Sequence, residues 1–265
     1  MAFQNYKPSL AFSEQTWVGL RHFKFLFQEE YFFLALRNTM AMSLLNMIFG
    51  FGCAITLSLM INEIRSMRFK KLTQTVSYVP HFVSMVVVAG LVQTILAEGG
   101  AFNDLLMALG LIDKPIIWMG EGKHFWLIIA ITHVWKEVGW NTIIYLASIT
   151  SIDPSLYEAA SIDGAGRFKK IRYITLPGMK ATIIILLIMN IGRVMDMGFE
   201  LQYLLYNEPV KKFAEVIETF VIRYGLSRGN YSFATAAGIF KSVVGIVLVL
   251  GANKLAKALG EEGIM

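Results

Sequence analysis

Residues 153–177, DPSLYEAASIDGAGRFKKIRYITLP, form a polar interruption between two apolar stretches of the chain. Asp153 followed by Pro154 predicts a helix start. The carboxylate can accept a bond from an orphan amide, and proline lacks the N–H that would stay unpaired there. Gly164, with Gly166 close behind it, permits a sharp bend at the end of that helix. The stretch therefore predicts two short helices joined by a tight turn, the second amphipathic and rich in basic residues.

The composition of the chain is that of an integral membrane protein. Of its 265 residues, 55% are hydrophobic and 16% are charged, and the mean hydropathy is +0.55. These values argue against a soluble globule. Basic residues concentrate in short segments between apolar stretches, so the net charge of +5 indicates cytoplasmic loops and not nucleic-acid binding. The single cysteine, Cys53, lies in an apolar segment and leaves no disulfide framework or cysteine metal site.

The hydropathy pattern predicts an all-α, multi-pass helical bundle. Five apolar spans lie near the ~20 residues needed to cross a bilayer, at 33–61, 76–97, 125–149, 180–206 and 234–258. Residues 1–31 are aromatic and mixed in charge, which favours an external or interfacial segment. Residues 32–265 are predicted to form a single transmembrane domain.

The polar interruption resembles a motif of a known family. Glu158-Ala159-Ala160, Gly164, Ile174 and Leu176-Pro177 stand at the spacing of the cytoplasmic EAA loop. This loop is found in permease subunits of binding-protein-dependent ABC importers, which have the type I importer fold. The alternative is an ordinary amphipathic connector, but the motif falls between two candidate spans, as its context requires. The resemblance implies that these residues couple the chain to an ATPase, and it assigns that role to Glu158, Ala159, Ala160, Asp163, Gly164, Leu176 and Pro177.

The resemblance also implies the partners. A second homologous permease subunit, two ATPase subunits and an external solute-binding protein would complete the importer in the bacterial cytoplasmic (inner) membrane. No GxxxxGK[ST] motif occurs in the sequence, so ATP and magnesium are expected in the partner subunits, and no cofactor is expected in this chain. Such permeases usually have six or more spans, so a further helix is expected before residue 1.

A cytoplasmic EAA loop fixes the orientation of the other segments. It puts residues 62–75 on the same side, and the excess of Arg65, Arg68, Lys70 and Lys71 over Glu63 agrees with the positive-inside rule. Three segments are then predicted to lie outside, namely 1–31, 98–124 and 207–233. Basic residues of the EAA loop, with Phe168 among them, are expected to meet anionic membrane lipid.

Longer stretches resemble the carbohydrate-uptake branch of these permeases. They include VGLRHFKFLF at 18–27, VPHFVSMVVVAGLVQTIL at 79–96 and the stretch 218–259. The similarity is to the subgroup that imports complex or acidic oligosaccharides, such as oligomers of alginate or pectin. The C-terminal residues GEEGIM depart from the basic and aromatic ending of many sugar permeases.

Polar residues in the fourth span are candidates for lining a substrate path, since ionisable groups in a membrane tend to face an aqueous path or a bundle interior. Arg193, Asp196, Glu200 and Tyr203 are spaced 3, 4 and 3, which predicts one helical face, and Asn190 precedes them. Arg193 could bind sugar hydroxyls or carboxylates. The alternative is an internal ion pair between Arg193 and Asp196.

The third span offers a second polar group, formed by Lys136, Trp140 and Asn141. An aromatic ring beside polar donors suits a pyranose, and Lys136 would favour an acidic sugar. The alternative is that Lys136 pairs with a neighbouring carboxylate and the tryptophan anchors the helix. The four histidines are scattered without an HExxH pair, so no metal site or catalytic residue is predicted.

Other functions remain open from the residues alone. The substrate could be a neutral oligosaccharide or another small solute. The buried charges could also belong to an ion-coupled secondary transporter, using Asp196 and Glu200, or to a membrane-embedded enzyme. Neither of these last two accounts for the EAA loop.

Overall fold

The computed structural model describes residues 1–196, 198–258 and 260. Almost all regular structure in that part of the chain is helical, which confirms the all-α prediction. The helices are α1 (Arg21–Leu26), α2 (Glu30–Asn62), α3 (Met67–Tyr78), α4 (Met85–Ile95), α5 (Ala101–Ala108), α6 (Gly122–Thr150), α7 (Pro154–Ile162), α8 (Arg167–Lys170), α9 (Leu176–Gly178), α10 (Lys180–Gly192), α11 (Glu200–Leu204), α12 (Lys211–Ala214), α13 (Ile217–Ile222) and α14 (Tyr231–Ala258).

The N-terminal segment carries a short antiparallel hairpin, in which β1 (Gln4–Asn5) pairs with β2 (Thr16–Trp17). The buried side chain of Gln15 holds the connection between the strands. Its amide accepts from the backbone N–H of Lys7 at 2.8 Å and donates to the Lys7 carbonyl at 2.9 Å. The carboxamide thereby satisfies backbone groups that the two short strands leave unpaired.

Three of the five predicted spans are continuous helices. α2 covers the predicted span 33–61, α6 covers 125–149 and α14 covers 234–258. Only 17% of the most apolar stretch of α2 and 22% of that of α14 is buried within the chain. Apolar helices exposed to this degree need lipid or partner helices around them.

The second predicted span, 76–97, is not one helix. α3 passes into a 3₁₀ turn at Val79–Phe82, and α4 then leaves at a bend of 99°. Pro80 explains the break, because its ring and missing N–H prevent the backbone from continuing as an α-helix. The prediction that residues 62–75 form a loop is also wrong for most of that range. The loop between α2 and α3 covers only residues 63–66, because α3 starts at Met67 with Ser66 as its N-cap.

The fourth predicted span, 180–206, is wrong as a single helix. α10 ends at Gly192, and α11 begins only at Glu200. Gly198 between them has φ +73°, a left-handed conformation that ends helical geometry and that glycine adopts without strain. Arg193 and Asp196 lie in this turn between α10 and α11. Their helical spacing in the sequence therefore does not correspond to a helix in the structure.

The predicted count of five spans is not confirmed. Within the described residues, α2 and α14 are each long and apolar enough to cross a membrane. The count rises to four if two bent pairs are each taken as one span, the pair at Met67–Ile95 and the pair at Arg167–Gly192, the second with a bend of 60°. α6 has the length, with 29 residues, but its interior carries His133, Lys136 and Glu137.

The chain divides into two compact units, with three boundaries inside α2, α6 and α14 and two more at Val83/Ser84 and Gly192/Arg193. The first contains Met1–Leu45, Ser84–Thr132 and Arg193–Val247. One of its cores is aromatic, with Phe32, Phe220 and Phe233 packed beside Leu26 and Ile217. The ring pairs Phe32–Phe220 and Phe220–Phe233 of this core are tilted, which avoids the unfavourable face-to-face arrangement of aromatic quadrupoles.

The second unit contains Asn46–Val83, His133–Gly192 and the described residues from 248 onward. Its core joins α2, α6 and the residue just before α10 through Ala54, Ile61, Tyr145, Ile149 and Met179. Small residues allow close approach here: a Cβ on Gly139 would lie 1.9 Å from the Ser77 carbonyl oxygen. This unit carries the whole polar interruption at 153–177.

Candidate functional site

The interruption begins with a capped helix, as predicted. The Asp153 carboxylate accepts from the Ser155 backbone N–H at 2.9 Å, and Pro154 is the first residue of α7. That bond lowers the pKa of Asp153 below its ordinary value of 3.8. A carboxylate is also favoured here because the N-terminus of a helix carries partial positive charge. Both effects stabilise the ionised form of the cap.

The predicted bend at Gly164 is confirmed. Gly164 has φ +75°, and the backbone N–H of Ala165 reaches back to the Ala160 carbonyl at 2.8 Å. This bond satisfies a carbonyl that the end of α7 would otherwise leave open. The chain then enters α8, so the two predicted short helices are both present.

Two contacts between side chains brace the folded segment. The hydroxyls of Tyr157 and Thr175 lie 2.9 Å apart, and Thr175 is buried. Lys170 Nζ donates to Ser161 Oγ at 2.6 Å. These contacts link α7 to the residues that follow the bend, so the segment has a defined shape before any partner binds.

The outer surface of the segment is exposed and partly apolar. Ile162 is 87% exposed and Phe168 is 88% exposed, while Leu156 and Tyr173 are also exposed. Glu158, Ala159, Asp163 and Gly164 have exposed positions beside them. Large apolar side chains in such a patch are typical of an interaction surface.

The basic loop after α2 lies against this segment. Arg167 Nε is 3.7 Å from Glu63 Oε2, and the side chain of Arg167 is exposed while that of Glu63 is partly exposed. A surface pair of this kind contributes little stability. It shows, however, that the loop at 63–66 and the EAA segment meet at one end of the second unit, as their predicted common side requires.

A second polar cluster forms where the break after α3 contacts α6. We refer to His81, Lys136, Glu137 and Trp140 as the His81 cluster. His81 Nδ1 lies 2.8 Å from Glu137 Oε2, and the His81 ring stacks on Trp140 with centroids 4.4 Å apart. Lys136 Nζ donates to the His81 carbonyl at 2.5 Å and lies 3.6 Å from Glu137 Oε1.

Within the His81 cluster, the ammonium of Lys136 is already bound by other protein groups. Its side chain is 9% exposed and its ammonium is engaged by a carbonyl and a carboxylate, which is the local pairing that was one of its two interpretations. Trp140 keeps an exposed ring, and Asn141 beside it is exposed. His81 and Glu137 were missed as members of a site. Pro80, which interrupts an apolar run just before His81, was the available signal.

The polar residues near the fourth span do not share one helical face, because the helix ends before Arg193. Asp196 pairs with Lys241 at 2.9 Å, so the alternative of an Arg193–Asp196 pair is wrong. Lys241 also binds Glu218 at 2.8 Å. Within the described chain, Arg193 is exposed and has no side-chain hydrogen bond or ion pair.

The remaining candidates differ in how available they are. Asn190 donates to the Leu186 carbonyl of its own helix at 2.8 Å, which uses one of its two amide hydrogens. Glu200 opens α11, and the exposed ring of Tyr203 meets Phe199 edge to face at 6.2 Å. Among the residues the structure describes, no group of His, Cys, Asp and Glu could hold a metal ion.

Apolar helices too exposed to stand alone, together with a preformed loop that presents an apolar surface, indicate a membrane protein that docks on a partner. The chain belongs to the family of binding-protein-dependent transport system inner membrane components, which residues 32–260 match. The predicted family is confirmed, and so is the prediction of a transport subunit that is not an enzyme.

Two relatives from Bacillus subtilis (strain 168) align with the entire chain. The polygalacturonan/rhamnogalacturonan transport system permease protein YteP is 45% identical over 265 residues, which cover 100% of this chain and 82% of the relative. Protein LplB is 41% identical over 265 residues, covering 100% of this chain and 83% of the relative. Each relative is therefore longer than the residues it shares with this chain.

A solved structure has the same fold. It is the crystal structure of a bacterial alginate ABC transporter in complex with alginate pentasaccharide-bound periplasmic protein. The superposition gives a TM-score of 0.88 at 43% identity and covers 93% of this chain and 85% of that one. The type I importer permease fold is thereby confirmed.

Proposed function

We propose that this chain is a permease subunit of an ATP-driven importer for acidic, uronate-bearing oligosaccharides in the bacterial cytoplasmic membrane. The observation that carries the proposal is the braced EAA segment with its exposed apolar surface. A preformed shape of this kind suits docking into a separate motor protein. The importer class of the relatives, and the acidic polysaccharides in two of their names, support the same function.

The proposed assembly contains a second, homologous permease subunit, two ATPase subunits and an external solute-binding protein. ATP and magnesium bind to the ATPase subunits. Residues 32–265 act as one transmembrane domain, residues 1–31 lie outside, and residues 153–177 lie in the cytoplasm. The family description names the dependence on a binding protein, and the membrane is the environment that the exposed apolar helices require.

In the proposed coupling step, α7 docks in a cleft of one ATPase subunit. Ala159 and Ala160 allow close approach, and Glu158 supplies a charge contact. Ile162 and Phe168 give the contact its apolar area, and basic neighbours of Phe168 meet anionic lipid. Closure of the ATP-bound ATPases would then move the segment as a body, because its internal hydrogen bonds keep its shape.

For the substrate, we propose contact residues within each unit taken by itself: Arg193 in the first unit, and Trp140 with Asn141 in the second. Arg193 is exposed, so its guanidinium can form a bidentate contact with a uronate carboxylate. Trp140 is exposed, and in this proposal the ring face that is not stacked on His81 packs against a sugar. Asn190, Glu200 and Tyr203 remain candidate path residues. Lys136 and Asp196 would act indirectly, since each is already paired.

The test is transport by the reconstituted importer. The chain, its permease partner, the ATPases and the binding protein are placed in liposomes, and uptake of an unsaturated or saturated galacturonate trimer is measured with and without ATP. We expect ATP-dependent uptake that is lost when the ATPases are omitted. If a neutral trimer is taken up and the acidic trimer is not, the proposed acidic substrate is wrong. If uptake occurs without the ATPase subunits, the proposal of an ATP-driven importer is wrong.

Arg193 gives a sharper prediction. Arg193→Gln should lower uptake of the acidic trimer by about tenfold, the loss of one charge-assisted contact, while the ATPase subunits still co-purify with the permease. Arg193→Lys keeps the charge but loses the bidentate guanidinium, so its uptake should lie between that of Arg193→Gln and that of the wild type. Unchanged uptake in Arg193→Gln would remove this residue from the path.

A further inference from the structure

The first unit contains a cavity of about 440 Å³ that the substrate path described above does not use. Residues of the N-terminal segment and of the stretch 224–233 line it together. Both stretches are predicted to lie outside the membrane, so the cavity belongs to the outer side in the proposed topology. Its volume falls in the range of roughly 300–1,000 Å³ that is typical of small-ligand pockets.

The cavity is held in shape by bonds between its two walls. The Tyr6 backbone N–H donates to Ser232 Oγ at 2.9 Å, and Ser232 Oγ donates to the Gln4 carbonyl at 2.7 Å. On the other side, the Tyr224 hydroxyl donates to Glu29 Oε1 at 3.0 Å. The walls are therefore fixed before a ligand enters, which lowers the entropy cost of binding.

The charges at the cavity favour an anion. Arg21 lines it and lies with Cζ 5.4 Å from the centroid of the Phe25 ring, another lining residue. Arg228 lies with Cζ 4.4 Å from the centroid of Tyr224. The nearby carboxylate, Glu29, already accepts the Tyr224 hydroxyl. Arg228 is not itself a lining residue, but it lies beside the lining residue Tyr224, so two guanidinium groups and one carboxylate stand at or next to the cavity.

The uncharged lining groups are those that bind sugars. Asn5, Gln28 and Asn230 are exposed carboxamides, each able to donate to and accept from a hydroxyl. The exposed Phe25 ring offers an apolar face. Below them His22 is buried, and its Nε2 has no hydrogen-bond partner among the described residues. A polar nitrogen without a partner is costly unless a ligand or water can reach it.

We propose that this cavity is a receiving subsite for one end of the acidic oligosaccharide as it leaves the binding protein. Arg21 holds a uronate carboxylate, the carboxamides hold ring hydroxyls and Phe25 packs against the sugar. The proposal rests on the proposed function and adds a site to it. A small concave cavity suits part of an oligosaccharide. A protein partner would instead need a broad surface, since specific protein interfaces bury about 800 Å² per partner.

The test is direct binding to the complete transporter in nanodiscs, without the binding protein and without ATP. Galacturonate trimer and its neutral methyl ester are titrated by calorimetry. We expect Arg21→Gln to weaken trimer binding by about tenfold, the loss of one charge-assisted bond, and to leave binding of the ester unchanged. Lys24→Gln is the matched control, because Lys24 is an exposed cation on the same short helix that does not line the cavity.

Each other outcome rejects the subsite. Equal weakening by Arg21→Gln and Lys24→Gln would mean general attraction of anions. Unchanged trimer binding, with weaker docking of the ligand-free binding protein, would mean that Arg21 meets a carboxylate of that protein. Uptake of the trimer by the wild-type importer is measured in parallel: uptake without binding at this cavity rejects only the subsite, whereas absence of uptake rejects the proposed function.

Discussion

Gly164 is the residue on which the shape of the EAA segment depends. Its backbone is left-handed, yet no atom lies within 4 Å of the position a Cβ would take. The need for glycine is therefore conformational and not steric. A Cβ would meet open space, but an L-residue there would strain the backbone by roughly 1–2 kcal/mol, which favours other conformations of the bend.

We predict that Gly164→Val abolishes ATP-dependent uptake while the permease still inserts in the membrane, because the bend can no longer present α7 and α8 together. Gly166→Val is the matched control, since Gly166 has φ −70°, which any L-residue adopts, and equally open surroundings. Uptake and ATPase activity are measured in the same liposomes. Full coupling in Gly164→Val would remove the bend from the coupling step.

Glu215 shows how burial acts on a single charge in a segment outside the spans. It is 3% exposed, and its Oε2 lies 2.7 Å from Arg223 Nη2. Burial raises the pKa of Glu215 above its ordinary value of 4.5, although Arg223 pulls the pKa down. Because the pKa is higher in the folded protein, the protonated form is the one that favours folding.

The sign of the pH effect follows from this shift. Stability from Glu215 is fully present below the unfolded pKa, near 4.5, and is lost as the pH rises through the folded pKa. Glu215→Gln is neutral at every pH and lacks this component. We predict that, relative to the variant, the wild type gains a few degrees in unfolding temperature between pH 7.5 and 4.5. A constant difference between the two proteins over that range would contradict the prediction.

At the scale of elements, sequence patterns locate helices more reliably than their breaks. The bounds of α2, α6 and α14 fall within a few residues of the predicted spans, because long apolar runs leave few alternatives. Inside the span 76–97, the apolar run continues through Pro80, where the proline ring and its missing N–H break the helix. In the span 180–206, the backbone turns at Gly198. The polar residues on either side of this turn have helical spacing in the sequence, but they do not lie on one helix. Pairing partners such as Lys241 and Asp196 lie 45 residues apart and needed the fold.

Asn103 is a second example of long-range order that no local pattern shows. Fully buried in α5, it donates to the carbonyls of Ala97, Glu98 and Ile116. Its Oδ1 accepts from the Ile116 backbone N–H at 3.1 Å and from Trp118 Nε1 at 3.0 Å. One side chain therefore fixes the segment that runs from the end of α4 to the start of α6.

We predict that Asn103→Ala lowers the free energy of unfolding by on the order of 3 kcal/mol, since it strands several buried polar groups. The segment 97–118 should also become sensitive to protease added outside the membrane. Asn141→Ala is the control, because Asn141 is exposed and has no side-chain hydrogen bond among the described residues. Equal stability of the two variants would show that the hydrogen bonds of Asn103 are replaced by water.

At the scale of the whole molecule, the contacts within each unit agree with one orientation in the membrane. In the second unit, Glu63 follows α2 and meets Arg167 of the EAA segment, so two stretches predicted to be cytoplasmic lie together. In the first unit, Tyr6 and Ser232 join two stretches predicted to be external. Neither contact could be read from the sequence, and neither could form if its two stretches lay on opposite sides of a bilayer.

Sidedness can be measured because the chain has a single cysteine. Cys53 is replaced by serine, and one new cysteine is introduced at an exposed position of each kind, as Ile162→Cys or Leu226→Cys. A membrane-impermeant maleimide should label Leu226→Cys in intact cells and Ile162→Cys only in inside-out vesicles. Both side chains are exposed, and the two positions are predicted to lie on opposite sides of the membrane. Each variant therefore serves as the control for the other. Labelling of Ile162→Cys from outside would place the EAA segment beyond the reach of any cytoplasmic ATPase, and the coupling step would then have no physical basis.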